Sequence, residues 1–176
     1  MYYPSLEDVK KLAGRGNLVP VYRELNADLE TPVTAYLKVA RKPYSFLLES
    51  VEGGERLARY SFIGTEPSWV LKTGAGQKAG EVDPLTPLQK KMANYKVAPV
   101  PGLPRFHGGA VGYLGYDAVR YFEPRVPKPQ KDTLGLPESV FMLTNNIIIF
   151  DHVQHKIKVV SHMPLKGDDA AIDKAY

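Results

Sequence analysis

The stretch FLLESVEGGERLARYSFIG (Phe46–Gly64) decides the fold prediction. Its first half alternates side chains between two faces, as a β-strand does, and residues 52–55 (EGGE) are a turn signal. Residues 59–63 then return as a second strand. The stretch therefore predicts an antiparallel hairpin. It also places two polar residues, Glu49 and Ser50, where the first strand should still be packing.

Helices are predicted on both sides of this hairpin. Ser, Thr and Asp side chains accept hydrogen bonds from the free N–H groups at the start of a helix, and Pro is tolerated in its first turn. Apolar side chains at helical spacing follow most of these start signals. The predicted helices begin at or next to Ser5, Thr31, Asp83, Gly115 and Asp168.

Runs of apolar residues predict five further extended segments. They cover residues 17–25, 69–71, 109–113, 140–150 and 156–163. We expect 69–71 to continue the hairpin as a three-stranded meander. We expect 140–150 to be one long strand that pairs with 156–163 through a turn at 151–155. Pro20 indicates an edge strand. The predicted fold class is α+β, with antiparallel β-sheet hairpins and flanking helices.

Composition excludes several classes of protein. The chain has 176 residues, which favours one domain over 1–176, and 44% are hydrophobic, enough to build a core. It contains no cysteine, so disulfides, thiolate nucleophiles and cysteine-bound zinc are excluded. We expect no signal peptide, and no run approaches the roughly 18 apolar residues of a membrane span. The net charge of +4 comes from scattered basic pairs with acids nearby. We therefore expect a cytoplasmic protein without nucleic-acid or membrane partners.

Nucleophilic catalysis has no candidate in the sequence, and phosphate binding has one glycine-rich block to consider. The sequence contains no G-x-S-x-G elbow, and no serine stands beside a histidine in a recognised motif. HGGAVGYLGYD (His107–Asp117) is glycine-rich but matches no phosphate-binding fingerprint. Close backbone packing is the favoured interpretation of these glycines.

Metal binding and acid–base chemistry each have one set of candidate residues. DHVQH (Asp151–His155), together with His162, could supply ligands to a divalent metal, but polar residues are typical of a hairpin turn. Asp117 and Glu123 lie on either side of Arg120. This arrangement favours a surface ion pair over a pair of catalytic carboxylates.

Glu49 and Ser50 leave two interpretations open. A strand that buries Phe46 and Leu48 should also bury position 50, where a hydroxyl needs a hydrogen-bond partner. That partner could lie in the protein's own turn. Alternatively, a carboxylate, a hydroxyl and free strand-end N–H groups suit a zwitterionic amino acid with an apolar side chain.

Three blocks of the sequence resemble a known family. Phe46–Gly64 closely resembles the N-terminal motif of anthranilate synthase component I. FHGGAVGYLGYDAVRYFE (Phe106–Glu123) is similar to the second N-terminal block of that family, and LPESVFMLTNNIIIFDH (Leu136–His152) to the third. The blocks occur in the family's order with family-like spacing, and the resemblance covers essentially the whole chain.

The resemblance implies a regulatory role. The family converts chorismate and ammonia, free or derived from glutamine, to anthranilate and pyruvate with Mg²⁺, in tryptophan biosynthesis, and pairs with a glutamine amidotransferase subunit. Its Leu-Leu-Glu-Ser segment forms part of the L-tryptophan feedback site. Here that segment contributes Ser50 as the strongest match, with Leu48, Glu49 and Val51 beside it.

The resemblance also implies what this chain lacks. Residues 1–176 are similar to the N-terminal domain, and the family's chorismate and Mg²⁺ residues lie in a C-terminal domain. We therefore expect no catalytic or metal-binding residue in this chain, and no activity from it alone. The short last helix and the apolar strand at 140–150 fit the front part of a longer protein.

The family's N-terminal sheet packs on a C-terminal sheet in a sandwich, so this chain is expected to supply one part of it. Without the other part, apolar faces or edges would favour self-association or domain swapping. Two alternatives remain at this point. One is the N-terminal domain of aminodeoxychorismate synthase component I, and the other is a stand-alone amino-acid-binding module.

Overall fold

A computed structural model of the chain describes residues 1–49, 59–128, 131–132 and 134–176. The turn predicted at residues 52–55 lies outside the described residues. The described elements are α1 (Leu6–Lys11), β1 (Leu18–Asn26), α2 (Pro32–Val39), β2 (Ser45–Leu48), β3 (Tyr60–Thr65), β4 (Trp69–Thr73), α3 (Leu85–Met92), β5 (Gly109–Leu114), a 3-10 helix (Tyr116–Tyr121), β6 (Ser139–Thr144), β7 (Asn146–Asp151), β8 (Lys156–Pro164) and α4 (Asp169–Ala175). None of these helices has the length and apolar character that crossing a membrane requires.

The strands form two sheets, each in its own compact unit. The first unit comprises Met1–Pro67, Tyr95–Gly109 and Thr144–Tyr176, and its five-stranded sheet has the order β1-β8-β7-β3-β2 with antiparallel pairing throughout. The second unit comprises Ser68–Asn94 and Ala110–Leu143, and its three-stranded sheet has the order β4-β6-β5. The prediction of an α+β fold with antiparallel sheets is confirmed.

The predicted helix starts are confirmed by their caps. The side chains of Ser5, Thr31 and Asp168 each accept a hydrogen bond from the backbone N–H three residues on, at 3.3, 3.1 and 2.9 Å. Asp83 accepts from the N–H of Leu85 at 2.9 Å. The helix predicted at 115–122 is a 3-10 helix, which is common for short connecting pieces.

Two strand predictions are wrong. The segment at 140–150 is not one strand, because the chain bends at Asn145 and divides it into β6 and β7, which belong to different sheets. The Thr144 hydroxyl donates to the Asn146 carbonyl oxygen at 2.8 Å across this bend. The strand at 69–71 does not continue the first hairpin either. Glu66 has a left-handed φ of 49° and Pro67 follows it, so the chain leaves the sheet, and β4 pairs with β6.

The core of the first unit lies on both faces of β7. On one face, Ile147 and Ile149 are at most 1% exposed and pack with Tyr22 and Val160. Residues 97–108, here called the cover segment, pack on this face through Val100, Leu103 and Phe106. On the other face, Phe150 packs with Ile63 and Ile157 under α2, which contributes Ala35, Tyr36 and Val39. The apolar strand is therefore covered on both faces within this chain.

A third cluster joins the two ends of the chain. Val9 of α1 and Ile172 of α4 are 0% and 2% exposed, and they pack with Val19 and Met163 of the paired strands β1 and β8. A helix as short as α4 is marginal in isolation, so this packing accounts for its stability.

The outer edge of β1 is largely occupied. The Leu18 carbonyl oxygen accepts from the Ala98 N–H at 2.8 Å, and Tyr22 exchanges two hydrogen bonds with Tyr3 at 2.8 and 2.7 Å. Pro20 lies between them and has no N–H to offer. The prediction that Pro20 marks an edge strand is confirmed.

Two neighbouring valines on β8 test this burial pattern. Val160 is 0% exposed, whereas Val159 is 42% exposed. We expect Val160→Ala to lower the free energy of unfolding by about 2 kcal/mol, because it removes two methylene-sized groups from a packed core. Val159→Ala makes the same chemical change at an exposed site and should cost much less. Urea unfolding of both variants measures the difference, and equal losses would contradict the two-faced assignment of β8.

Candidate functional site

The predicted effector segment begins at the end of β2, an edge strand. Leu48, the last residue of β2, lies opposite Phe62 of β3. Leu48 is 44% exposed, and Glu49 is exposed. The expectation that Leu48 is buried beside Phe46 is wrong. Phe46 packs against the core cluster that contains Ile147 and Ile149, whereas Leu48 is not part of that cluster. Ser50 and Val51 lie outside the described residues, so their role as effector contacts stays a prediction.

The start of the returning strand is fixed by an ion pair. Arg59 donates to Asp151, the last residue of β7, from Nη2 to Oδ2 at 2.8 Å and from Nε to Oδ1 at 3.2 Å. The Asp151 side chain is 2% exposed, and its Oδ1 also accepts from the N–H groups of Val153 and Gln154 at 3.1 Å. One carboxylate therefore orients Arg59 and caps the turn between β7 and β8.

The charge of Asp151 is maintained by these donors. Burial acts to raise the pKa of Asp151, but the hydrogen bonds from Arg59 and from the two turn N–H groups outweigh it and lower that pKa. A lowered carboxyl pKa stabilises the fold above the unfolded pKa of about 4, and this stabilisation is lost as the pH falls through the lower folded value.

A serine and a histidine meet beside this ion pair. The oxygen Oγ of Ser61 in β3 lies 2.8 Å from Nε2 of His152, the residue that follows the end of β7. The two residues are 91 positions apart, so sequence motifs could not reveal the contact. Ser61 is 0% exposed, so its oxygen is inaccessible to a substrate, and the contact serves to satisfy a buried hydroxyl.

The structure separates the four residues considered as metal ligands. Asp151 binds Arg59, His152 contacts Ser61, and His162 contacts His107. His155 lies in the turn with a left-handed φ of 51°. Among the residues that the structure describes, no three or more His, Asp or Glu side chains are grouped as metal ligands would be. The described donors therefore do not fit a Mg²⁺ site.

Arg120 has different partners from those predicted. It does not pair with Asp117 or Glu123. Its Nη2 instead forms ion pairs with Glu138 and, at 3.4 Å, with Glu81. The Arg120 side chain is only 11% exposed, so the surface ion pair is wrong in both partner and position. Tyr121 completes the cluster, with its hydroxyl 2.8 Å from Glu138.

The glycines of the block His107–Asp117 serve close packing, which confirms the favoured interpretation. A Cβ on Gly112 would lie 1.9 Å from the carbonyl oxygen of Val140, and one on Gly115 would lie 2.9 Å from that of Glu138. A Cβ on Gly108 would lie 2.4 Å from the ring of His162. These glycines are needed because neighbouring atoms occupy the space that a side chain would take.

The Arg59–Asp151 pair yields a stability prediction. Asp151→Asn keeps an oxygen for the turn N–H groups but removes the charge that pairs with Arg59. We expect a loss of about 2 kcal/mol in the free energy of unfolding at pH 7, since a buried charge-assisted interaction is broken. Urea unfolding at pH 7 measures this loss.

Asp132→Asn is the matched control. The Asp132 carboxylate also accepts two backbone N–H groups, from Leu134 and Gly135 at 3.0 Å, and the described residues give it no cation. We expect a much smaller loss for this variant. If both variants lose the same stability, the turn bonds rather than the Arg59 pair account for the effect.

Comparisons with known proteins identify the family. A family described as "chorismate binding enzyme" matches residues 43–173. The chain is 45% identical over 99% of its length to probable anthranilate synthase component 1 of Schizosaccharomyces pombe, and 39% identical over its whole length to anthranilate synthase component 1 of Acetivibrio thermocellus. It spans 35% and 37% of those relatives, about a third of their length.

A solved structure is also similar. The crystal structure of anthranilate synthase component I from Streptococcus pneumoniae TIGR4 aligns with a TM-score of 0.52 at 28% identity, over 86% of this chain and 34% of that one. The resemblance read from the three sequence blocks is thus confirmed by sequence and by fold. The chain belongs to the family of chorismate-binding enzymes.

Proposed function

We propose that residues 1–176 are the regulatory N-terminal domain of an anthranilate synthase component I. The observation that carries the proposal is the 45% identity to a relative of that name over 99% of the chain. On this proposal the complete protein converts chorismate and ammonia to anthranilate and pyruvate. A glutamine amidotransferase subunit supplies the ammonia, and the complex works in the cytoplasm.

Chorismate chemistry belongs, on this proposal, to the part of the protein beyond this chain. The chain spans about a third of its relatives, and its described residues offer no cluster of Mg²⁺ ligands. The buried carboxylates and cations of the described residues are also already paired with one another, as Asp151 is with Arg59 and Glu138 with Arg120. These features support a chain that regulates the reaction rather than performs it.

The effector site proposed for L-tryptophan is the segment Leu48–Val51. Leu48 and Glu49 are exposed at the end of an edge strand, so an apolar group and a carboxylate are open to a ligand. Glu49 would pair with the ammonium group of the amino acid, and Ser50 would bind its carboxylate. The returning strand is held on the other side by the buried Asp151, which gives one wall of such a site a rigid support.

Inhibition would then follow from a population shift. Tryptophan that binds one arrangement of the protein more tightly shifts the equilibrium toward it, by no more than the difference in affinity. Couplings of this kind are typically about 1–3 kcal/mol, which corresponds to roughly 5- to 150-fold changes in affinity.

Ser50→Phe in the complete protein tests the effector site. The larger ring should fill the space of the ligand, so we expect the tryptophan concentration for half-inhibition to rise by about tenfold or more. The rate without tryptophan should stay close to that of the wild type. The measurement is anthranilate fluorescence at increasing tryptophan concentrations.

Leu29→Phe is the control for this substitution, because it adds a ring at a site that is 95% exposed and far along the chain from the segment. It should leave inhibition unchanged. Unchanged inhibition in Ser50→Phe would count against the site, and a loss of basal activity in that variant alone would place Ser50 in the catalytic machinery instead.

The 176-residue chain alone should make no anthranilate from chorismate, ammonia and Mg²⁺. Its described residues lack a set of metal ligands, and the proposal places the active site elsewhere. A fluorescence assay over hours detects slow turnover, and measurable product would refute the assignment. Product analysis of the complete protein separates anthranilate synthase from aminodeoxychorismate synthase, because the two give different amino-substituted products.

A further inference from the structure

Two histidines fasten the cover segment to the five-stranded sheet. His107 of the cover segment and His162 of β8 lie edge to edge, with their ring centroids 5.2 Å apart and their planes within 12° of each other. Nδ1 of His107 lies 3.1 Å from Nε2 of His162. His162 is 8% exposed and His107 is half-buried, so this contact lies largely away from water.

The hydrogen bonds assign a proton to each ring. Nδ1 of His162 lies 2.9 Å from the carbonyl oxygen of Asn145. A carbonyl oxygen only accepts, so Nδ1 carries the proton, and Nε2 of a neutral His162 has a lone pair. Nδ1 of His107 must then donate to that lone pair. Both of these hydrogen bonds are made when both rings are neutral.

The hydrogen bond between the two rings can persist when the pair takes up one proton, but not when it takes up two. A proton taken up at Nε2 of His107 leaves its Nδ1–H donor in place. A second proton on Nε2 of His162 would set two N–H groups 3.1 Å apart, facing each other, and would also place two positive charges side by side. The contact would have to open.

In the described part of the chain, no carboxylate forms a hydrogen bond or ion pair with either ring. Pro20 of β1, the Asn145 carbonyl and Gly108 lie against His162, and none of them titrates, so His107 is the titratable group in contact with it. Burial lowers the pKa of His162, and burial followed by repulsion from His162 lowers the pKa of His107.

The His107–His162 contact lies next to an aromatic contact that also holds the cover segment on the sheet. Phe106, the neighbour of His107, meets Phe62 of β3 edge to face at 5.1 Å between ring centroids. Phe62 lies opposite Leu48 at the end of β2. Loss of the histidine contact would therefore loosen a cover that reaches the strand pair bearing the predicted effector segment.

We infer that the His107–His162 pair is a proton-sensitive latch, which holds the cover segment on the sheet when neutral and releases it when both rings are protonated. The sign follows from linkage. As the pH falls below the unfolded histidine pKa of about 6.5, the unfolded chain takes up protons that the folded pair resists. The stabilisation is therefore complete above that pH and is lost below it.

Urea unfolding between pH 7.5 and 5.5 tests the latch. Each histidine that stays neutral in the fold lowers the folding constant about tenfold when the pH falls from 7.5 to 5.5. The folding constant of the wild type should therefore fall by more than about tenfold and by up to about a hundredfold. His107→Gln keeps a donor for Nε2 of His162 but removes one titrating ring. Its folding constant should therefore fall several-fold less than that of the wild type over the same pH range. Asp151 titrates below this range and does not contribute.

His155→Asn is the matched control, because it removes an exposed histidine at a left-handed position that asparagine tolerates. It should keep the pH dependence of the wild type. The latch is overturned if His107→Gln and His155→Asn show the same pH dependence.

A second measurement needs no variant. Imidazole ¹⁵N NMR of the wild-type chain reports the titration midpoint and tautomer of each ring. Midpoints below the ordinary histidine value of about 6.5 for both rings, with the proton of His162 on Nδ1, support the latch. Ordinary midpoints near 6.5 for both rings, or the opposite tautomer, would overturn it.

Discussion

The structure of the first unit depends on the burial of β7 on both faces. Ile147 and Ile149 point to one face and Phe150 to the other, and all three are at most 2% exposed. Burying side chains of this size contributes about 1.5–3 kcal/mol each. This requirement accounts for two otherwise separate features, the cover segment on one face and α2 on the other.

Polar contacts at both ends of β7 fix its register. At one end, the Asn145 carbonyl oxygen binds both the backbone N–H and the ring of His162, each at 2.9 Å. At the other end, Asp151 binds Arg59 and caps the turn. A slip by one residue would move the apolar side chains to the wrong face and break both sets of bonds. The apolar strand supplies the stability, and its polar ends supply the specificity.

Local signals predicted most of the elements, and long-range pairing limited the rest. Caps such as Ser5 and Thr31 act on residues three positions away, so the sequence exposes them. The bend at Asn145 was missed because the apolar residues on both sides follow a strand pattern, although the Thr-Asn-Asn run inside it was the available signal. The partner of Arg120 was missed because Glu138 is 18 residues away and becomes a neighbour only when the fold forms.

The candidate site was predictable in a different way. Its residues came from a resemblance, and the physical argument about Leu48 was incorrect because it took an edge strand for a fully covered one. The Arg59–Asp151 and Ser61–His152 contacts beside it join residues more than 90 positions apart. Hydrogen-bond partners at that separation are set by strand order, which one sequence does not reveal.

The hydrogen bonds on the outer edge of β1 close part of the five-stranded sheet to further strand pairing. Because Ala98, Pro20 and Tyr3 block residues 18–22, an incoming strand finds few free donors and acceptors on that side. The opposite border is β2, with four residues and an exposed Leu48 at its end. A polypeptide that pairs with this sheet through its main chain is therefore excluded from residues 18–22 of β1, which limits the growth of the sheet into open-ended ribbons on that side.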